Sequence, residues 1–266
     1  MKTMANTLFF SHGAGPLPLL NHAAHSNMRA YCDRLIATIP RPDAVIVVSA
    51  HWEHKSVRIG SAAHPPLLFD YSNFPEEAYQ FTYPCSGHPQ LAANICNALQ
   101  ECGIPAALEP DRPLDHGAFV PMIMLYPDAS VPSVQVSLNS NMSAKAHIQL
   151  GEALSVFKSQ NILLVGSGFS FHNMAGFFDN SNEAHMRSHA FERWLHNVVT
   201  QPDLPEPVRR QRLINWESAP YARYCHPREE HLLPLHVCYG FAGSASARYD
   251  TLSIMNKPAS MILWCH

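Results

Sequence analysis

The sequence has little of what membrane-spanning and nucleic-acid-binding proteins need. It contains no apolar run of about 18 residues, the length of a membrane span. Its net charge is −3 and its isoelectric point lies near 6.6, so it offers no basic surface for nucleic acid or an anionic membrane. The first ten residues carry one lysine and a short apolar stretch, too little for a secretory signal. We therefore expect a cytoplasmic protein without nucleic-acid or membrane partners.

The cysteines are odd in number, and none of them forms a C-x-x-C pair. In a reducing compartment, scattered cysteines of this kind are usually small buried hydrophobic residues. We interpret them as structural, except that Cys225, which directly precedes His226, stays a functional candidate. The seven positions are Cys32, Cys85, Cys96, Cys102, Cys225, Cys238 and Cys265.

Motifs of several enzyme classes are also absent. The segment Gly166-Ser167-Gly168 lacks the G-x-S-x-G turn of serine hydrolases and the full glycine pattern of dinucleotide-binding folds. There is no phosphate-binding Walker loop, and the H-E-x-x-H motif of zinc proteases is missing. Nothing singles out Ser11 or Ser167 as a nucleophile beside a histidine, so the sequence disfavours a serine hydrolase.

What the sequence does contain is an alternation of strand and helix patterns. Continuous apolar runs rich in β-branched residues predict buried strands at 7–10, 44–48, 134–138 and 162–165. Helical patterns cover 27–38, 90–102, 144–159 and 181–199. Such alternation predicts an α/β fold with a central, mainly parallel or mixed sheet flanked by helices. Because no linker or repeat divides the chain, we predict a single domain over residues 1–266.

Histidine is abundant, with 17 in 266 residues, so position matters more than number. His12, His51 and His172 each come just after the carboxyl end of a predicted strand. In open α/β sheets the ligand crevice lies at that edge, where loops from several strands meet. We therefore predict a shared metal site at the carboxyl ends of the strands. Imidazole ligands favour zinc or non-haem iron over magnesium or calcium.

Two further histidines are candidates for the same site. His231 lies in the stretch 226–236, where Pro227 and two glutamates suit the start of a helix. We interpret Glu229, Glu230 and Arg228 there as solvated charges of a first helical turn. His116 follows an aspartate in the glycine-bearing segment 114–121, which we predict to be a loop, and it is a credible acid or base.

Taken in order, these motifs resemble those of the class III extradiol ring-cleavage dioxygenases, and of their DOPA 4,5-dioxygenase-like group in particular. The similarity extends from residue 8 to about 240. Each motif alone is weak, but five of them in the same order are specific. The motifs are Ser11-His12-Gly13, Ser49-Ala50-His51-Trp52, Asp115-His116-Gly117, Gly166-Ser167-Gly168 with His172-Asn173, and Glu230-His231-Leu232-Leu233-Pro234-Leu235.

The resemblance implies a mononuclear non-haem metal, Fe(II) in the active enzyme, with Zn(II) able to take the same site. It implies His12, His51 and His231 as metal ligands, and His172 as either a fourth ligand or an acid/base. His116 is implied as a catalytic group beside the metal. A set of three histidines departs from the usual triad of two histidines and a carboxylate, and it accepts zinc readily.

The resemblance also implies a catechol and dioxygen as the reactants and a ring-opened semialdehyde as the product. The ring substituent stays open. A carboxylated or amino-acid catechol needs a cationic partner, for which Arg112, Arg223 and Arg228 are the candidates. The oligomeric state is also left open, a homo-oligomer included.

Two other functions stay open on the same residues. One is a zinc hydrolase in which metal-bound water is the nucleophile. The other is a non-catalytic binding or signalling protein, since the extradiol enzymes resemble a eukaryotic cell-motility mediator of that kind. The presence of all five histidines favours an enzyme over this last function.

Overall fold

The predicted buried strands form the middle of one mixed sheet. The computed structural model describes residues 7–265, and the sheet order is β4-β3-β5-β2-β6-β1-β8-β7. The four central strands, β5, β2, β6 and β1, are parallel, whereas β3 and β8 run antiparallel to them on either side. The strands are β1 (Thr7–Ser11), β2 (Ala44–His54), β3 (Val57–Gly60), β4 (Ala106–Glu109), β5 (Ser133–Asn139), β6 (Ile162–Gly168), β7 (Arg248–Ile254) and β8 (Lys257–Trp264).

Helices flank this sheet, so the predicted α/β class is confirmed. They are α1 (Ser26–Ile36), α2 (Pro89–Glu101), α3 (His116–Leu125), α4 (Ala144–Leu154), α5 (Met174–Phe177), α6 (Asn182–Thr200), α7 (Glu206–Ile214), α8 (Ala222–Cys225) and α9 (Leu233–Ala242). Short 3-10 turns occur at 23–25, 76–79, 155–159 and 216–218. Within the described residues, no helix is both long enough and apolar enough to cross a membrane. The single domain over residues 1–266 stays a prediction.

Two of the predicted helices differ in extent from the observed ones. The helix predicted at 144–159 ends at Leu154 and continues as a 3-10 turn. The helix expected from Pro227 begins only at Leu233, with Pro234 in its first turn, where the missing N–H of proline costs nothing. The residues before it, His231 included, form turns.

Two of the predicted site residues lie in regular elements rather than in loops. His116 is the first residue of α3, because the Asp115 carboxylate accepts a hydrogen bond from Ala118 N at 3.1 Å and caps the helix. His51 lies inside β2, since that strand runs on to His54 after a register shift between Val48 and Glu53. Apolar periodicity alone could not show either feature, because the cap depends on a polar side chain and the register shift on the pairing of β2 with β5.

Glycines in β6 decide how closely α9 approaches the sheet. A Cβ on Gly168 would overlap the carbonyl oxygen of His231, and one on Gly166 would overlap Pro234 and Cys238. The absence of these side chains lets the start of α9 lie directly on the strand. Phe169 N then donates to the carbonyl oxygen of His231 at 2.9 Å. This contact places His231 at the carboxyl edge of the sheet.

Candidate metal centre

Five histidines from five segments meet at the carboxyl edge of the central strands. His12 follows β1, His51 lies in β2 and His172 comes four residues after β6, and these three strands are neighbours in the order β2-β6-β1. His116 comes from the start of α3 and His231 from the turn before α9. The sequence therefore identified every histidine of the cluster, and the structure brings all five together.

The Nε2 atoms of three of the five histidines lie close together. His51 Nε2 lies 3.2 Å from His12 Nε2 and 3.2 Å from His231 Nε2. Two nitrogens bound to one tetrahedral metal at about 2.1 Å are themselves about 3.4 Å apart. The two observed separations are close to this value, so the three rings could bind one ion. Imidazole nitrogens in a buried pocket also suit zinc and iron chemically, so this donor set fits the metal that the resemblance implies.

Burial keeps these three rings in the form that binds a metal. Desolvation is the main cause that lowers the pKa of His12 and of His51 well below the ordinary histidine value, and the neighbouring histidines add to it. Burial also lowers the pKa of His231 to about 4, although its hydrogen bond to Glu230 opposes this shift. Neutral rings with free lone pairs are the ligands that a metal needs at neutral pH.

The opposite nitrogen of each of these rings faces an oxygen. His12 Nδ1 lies 3.0 Å from Ser167 Oγ, and His231 Nδ1 lies 2.9 Å from Glu230 Oε1. His51 Nδ1 is 3.7 Å from Asp70 Oδ2. An acceptor at Nδ1 keeps the proton there and leaves Nε2 unprotonated, the arrangement that orients histidine ligands in metal sites.

His116 and His172 each contact one of the two carboxylates that also face His51 and His231. His116 Nδ1 donates to Asp70 Oδ1 at 2.8 Å, and its backbone N–H donates to the same oxygen at 2.9 Å. His172 Nδ1 lies 3.2 Å from Glu230 Oε1. Each carboxylate therefore joins one histidine of the Nε2 cluster to one of the two remaining histidines.

Grouping by distance alone divides the cluster differently. His12, His51 and His116 form one set with ring nitrogens within 4.8 Å of one another, and His172, Glu230 and His231 form another. His51 could belong to either set, because its Nε2 is as close to His231 Nε2 as to His12 Nε2. The 3.2 Å contacts of His51 Nε2 connect the two sets, and atoms at this separation can bind a single ion.

The carboxylates were the functional residues that the sequence analysis did not find. Asp70 lies in an irregular segment without a motif, and no signal in the sequence indicated it. The interpretation of Glu230 as a solvated charge was wrong. The residue is buried against His231 and His172. Burial alone would raise the pKa of Glu230, but hydrogen bonds with these two rings outweigh it and hold the pKa well below its ordinary value.

Cys225 contributes its backbone rather than its thiol. Its carbonyl oxygen accepts a hydrogen bond from His172 N at 2.9 Å, which fixes the segment that carries this histidine. The thiol is buried, and desolvation raises its pKa to about 12. Cys225 is therefore an inert, positioning residue. Of the other cysteines, Cys32, Cys85, Cys96 and Cys238 are buried, as expected for structural residues, whereas the expected burial is wrong for Cys102 and Cys265, which are exposed.

A cavity of about 210 Å³ opens over the histidines. Aromatic and thioether side chains form most of its remaining wall. The lining residues are His12, Gly13, Ala14, Gly15, His51, Tyr71, Phe74, His116, Phe169, His172, Met174, Phe177, His231 and Met255. An apolar cavity of about 150 Å³ is large enough to hold benzene, so one substituted aromatic ring fits here.

Comparison with known proteins agrees with this site. The family described as the catalytic LigB subunit of aromatic ring-opening dioxygenase matches residues 19–261. The dioxygenase tasH of Hapsidospora irregularis is 35% identical over 256 residues, covering 90% of this chain and 78% of that protein. The 4,5-DOPA dioxygenase extradiol of Beta vulgaris is 32% identical over 244 residues, covering 90% and 88%.

A solved structure has the same fold along its whole length. It is the crystal structure of an uncharacterised protein from Escherichia coli K12, with a TM-score of 0.77 and 25% sequence identity, covering 98% of this chain and 99% of that one. The family match spans most of the chain, including four of the five histidines and both carboxylates. The chain therefore belongs to the family of aromatic ring-opening dioxygenases that includes the catalytic LigB subunit.

Proposed function

We propose that this protein is an extradiol dioxygenase, which opens the ring of a catechol with dioxygen beside its hydroxyl groups and releases a semialdehyde. The observation that carries the proposal is the convergence of three neutral Nε2 atoms, spaced 3.2 Å apart along the cluster, on the floor of a cavity sized for one aromatic ring. Membership of the ring-opening dioxygenase family supports the same chemistry.

His12, His51 and His231 would hold the metal, which we propose is Fe(II) in the active enzyme. When bound, Fe(II) supplies a Lewis acid for the catechol oxygens and the electrons that dioxygen chemistry needs. The protein contributes the orientation of these rings, through Ser167, Glu230 and the sheet itself. Zn(II) fits the same three nitrogens, so isolated protein can carry it without ring-opening activity.

The position of the His172 ring favours proton transfer over metal binding. Its ring stacks on that of His231, with centroids 3.4 Å apart and an interplanar angle of 14°. A metal binds an imidazole in the ring plane, and two nearly parallel planes separated by this distance do not meet at one ion. His172 would therefore act as an acid or base beside a metal held by His12, His51 and His231.

His116 is the second proposed proton carrier. Its Nδ1–H is held by Asp70, so Nε2 carries the lone pair and faces the cavity that it lines. A base in this position can take a proton from a catechol hydroxyl and return it to the leaving oxygen as the ring opens. The Asp70 carboxylate would stabilise the imidazolium that forms between these two steps.

The test is anaerobic reconstitution with Fe(II), followed by a panel of catechols read by oxygen uptake and near-visible absorbance. We expect one O₂ consumed per ring and a yellow product. Protein loaded to one Fe(II) per chain that consumes no oxygen with any catechol would contradict the proposal. Protein loaded with Zn(II) instead serves as the matched control for non-specific oxidation.

A zinc hydrolase is the second candidate function, because the three-histidine floor is also that of hydrolytic zinc sites. Ester or amide hydrolysis by the Zn(II) form, without oxygen uptake by the Fe(II) form, would favour it. The ring-sized apolar cavity favours the dioxygenase, since it offers a planar aromatic substrate the better fit.

A further inference from the structure

The cavity wall is formed without the acidic and basic side chains that usually bind charged groups. Among the described residues that line it, none is Asp, Glu, Lys or Arg. The two carboxylates of the centre, Asp70 and Glu230, lie behind the histidine rings and are engaged with them. A substrate that enters thus meets aromatic rings, thioethers and imidazoles, and no partner for a charge of either sign.

The three arginines that could have bound a substrate carboxylate are held elsewhere. Arg112 donates to the Asp115 carboxylate at 2.6 Å and lies over the ring of Trp52. Arg228 holds both carboxylate oxygens of Glu53 at 2.6 Å. Arg223 makes 2.6 Å contacts with two glutamates, Glu217 and Glu229. None of these arginines lines the cavity.

Lys257, which is close in sequence to the cavity residue Met255, is also directed away. Its Nζ donates to the carbonyl oxygen of Asp179 at 2.5 Å and lies 5.8 Å from the centre of the Phe171 ring. Like the arginines, it does not line the cavity. These four cations therefore make their closest polar contacts within the protein, and none of them lines the cavity.

The rim of the cavity is apolar as well. Met174 lines the cavity with 63% of its surface exposed, and Phe178, next to the lining residue Phe177, is 74% exposed. Phe74 and Met255 line the cavity beside them. The exposed thioether of Met174, together with the rings of Phe74 and Phe177 that also line the cavity, favours an apolar group on the part of the substrate that extends past the ring.

From these observations we infer that the substrate is a catechol with an uncharged, apolar substituent, and not a carboxylated or amino-acid catechol. The inference rests on the proposed ring-opening function and names its substrate class. A carboxylate or ammonium group that leaves water for this cavity loses its hydration and gains no partner, whereas an alkyl or aryl group gains from leaving water. DOPA carries both a carboxylate and an ammonium group, so each of these groups would lose its hydration without gaining a partner.

A matched pair of substrates tests the inference. In 4-(3-methylbutyl)catechol two methyl groups replace the carboxylate oxygens of 3-(3,4-dihydroxyphenyl)propionate, so shape is kept and charge is removed. For the Fe(II) protein we expect kcat/KM for the alkyl compound to be about 100-fold higher than for the acid. Calorimetric titration of the Zn(II) form should give the same order of affinities without turnover.

A variant pair gives the reverse test. Met174→Arg places a cation at the rim, and we expect it to raise kcat/KM for the acid relative to the alkyl compound by about 10-fold. Met186→Arg is the control, because Met186 is 46% exposed on α6 and does not line the cavity. It should leave the ratio unchanged.

The possible failures are distinguishable. Equal or greater efficiency with the acid would overturn the inference on substrate class and leave the dioxygenase proposal intact. A Met174→Arg protein whose ratio does not move would contradict the assignment of the rim. Absence of oxygen uptake with every catechol would contradict the proposed function itself, and the order of affinities for the Zn(II) form would then decide on the cavity alone.

Discussion

The site has two halves that are built alike and differ in one respect. In one half Asp70 joins His51 to His116, and in the other Glu230 joins His231 to His172. Asp70 uses separate oxygens, at 2.8 Å from His116 and 3.7 Å from His51, whereas a single oxygen of Glu230 lies 2.9 Å and 3.2 Å from its two rings. Glu230 therefore orients both of its histidines, while Asp70 mainly orients His116.

A carboxylate can therefore connect metal binding with proton transfer to different degrees. Where one oxygen serves both rings, a change at either ring alters the other. Where the ligand is beyond hydrogen-bond distance, the carboxylate acts on the proton carrier alone. The following changes test this difference, beginning with those that remove a ring.

The largest effect is expected from His231→Ala. Removal of this ring takes one of three ligands from the metal, and we expect the affinity for Zn(II) or Fe(II) to fall more than about 100-fold, beyond what the loss of a supporting residue does. Metal content after dialysis against a chelator measures it. His172→Ala is the matched control from the same half, and full metal retention is expected. Loss of metal from the control would instead make His172 a fourth ligand.

His116→Gln should separate proton transfer from metal binding in the other half. The glutamine keeps polarity and size but neither takes up nor releases a proton near neutral pH, so we expect kcat to fall about 100- to 10,000-fold. Metal content should stay at the level of the unchanged protein. A variant that loses its metal in parallel with its activity would move His116 into the ligand set with His12 and His51.

Glu230→Gln is expected to lower metal affinity about 10- to 100-fold, the usual range for a partner of a histidine ligand. Activity should fall further than metal loss explains, since His172 loses the same negative charge. Full reloading with excess metal distinguishes the two effects. Glu183→Gln, an exposed glutamate paired with Arg187 on α6, controls for the loss of a negative charge. Unchanged metal affinity in Glu230→Gln would show that Nδ1 of His231 needs no carboxylate.

For Asp70→Asn we expect the metal affinity to change less than about 10-fold, while kcat falls at saturating metal. The reason is the 3.7 Å separation from His51, against 2.8 Å from His116. Metal titrations of this variant and of Glu230→Gln under the same conditions give the comparison directly. Equal losses of metal affinity in the two variants would contradict the proposed difference between the two halves of the site.

The sequence predicted well which histidines meet at the carboxyl edge of the central strands, because their placement follows from local patterns. Apolar runs identify β1, β2 and β6, and parallel neighbours necessarily bring their carboxyl ends together. His12 and His172 could thus be placed from the sequence alone. His116 and His231 lie at a helix start and in a turn that periodicity does not reveal. They were candidates from their sequence surroundings, and the motifs of the resemblance supported them.

The rest of the site depends on tertiary contacts that no local pattern records. Asp70 stands in an irregular segment, and Glu230 looked like a surface charge because its sequence neighbours Arg228 and Glu229 are charged. Buried histidines elsewhere show the same ambiguity. His147 Nε2 accepts from Asn139 N at 3.1 Å and His226 lies against Ser170 O at 2.9 Å, so these rings satisfy backbone groups and not a metal. Sequence alone does not separate the two kinds.

The smallest effect is expected at Ser167, which faces the one ligand that belongs to neither half. His12 Nδ1 has a hydroxyl at 3.0 Å where His231 has a carboxylate, and a neutral acceptor orients and polarises a ring less than a charged one. Ser167→Ala should therefore lower metal affinity by less than about 5-fold, a loss below that of Glu230→Gln. Ser133→Ala is the control for the cavity left in the core, because it removes a buried hydroxyl at the start of β5, at the other end of the parallel strands. A loss in Ser167→Ala as large as in Glu230→Gln would mean that the carboxylates act by position and not by charge.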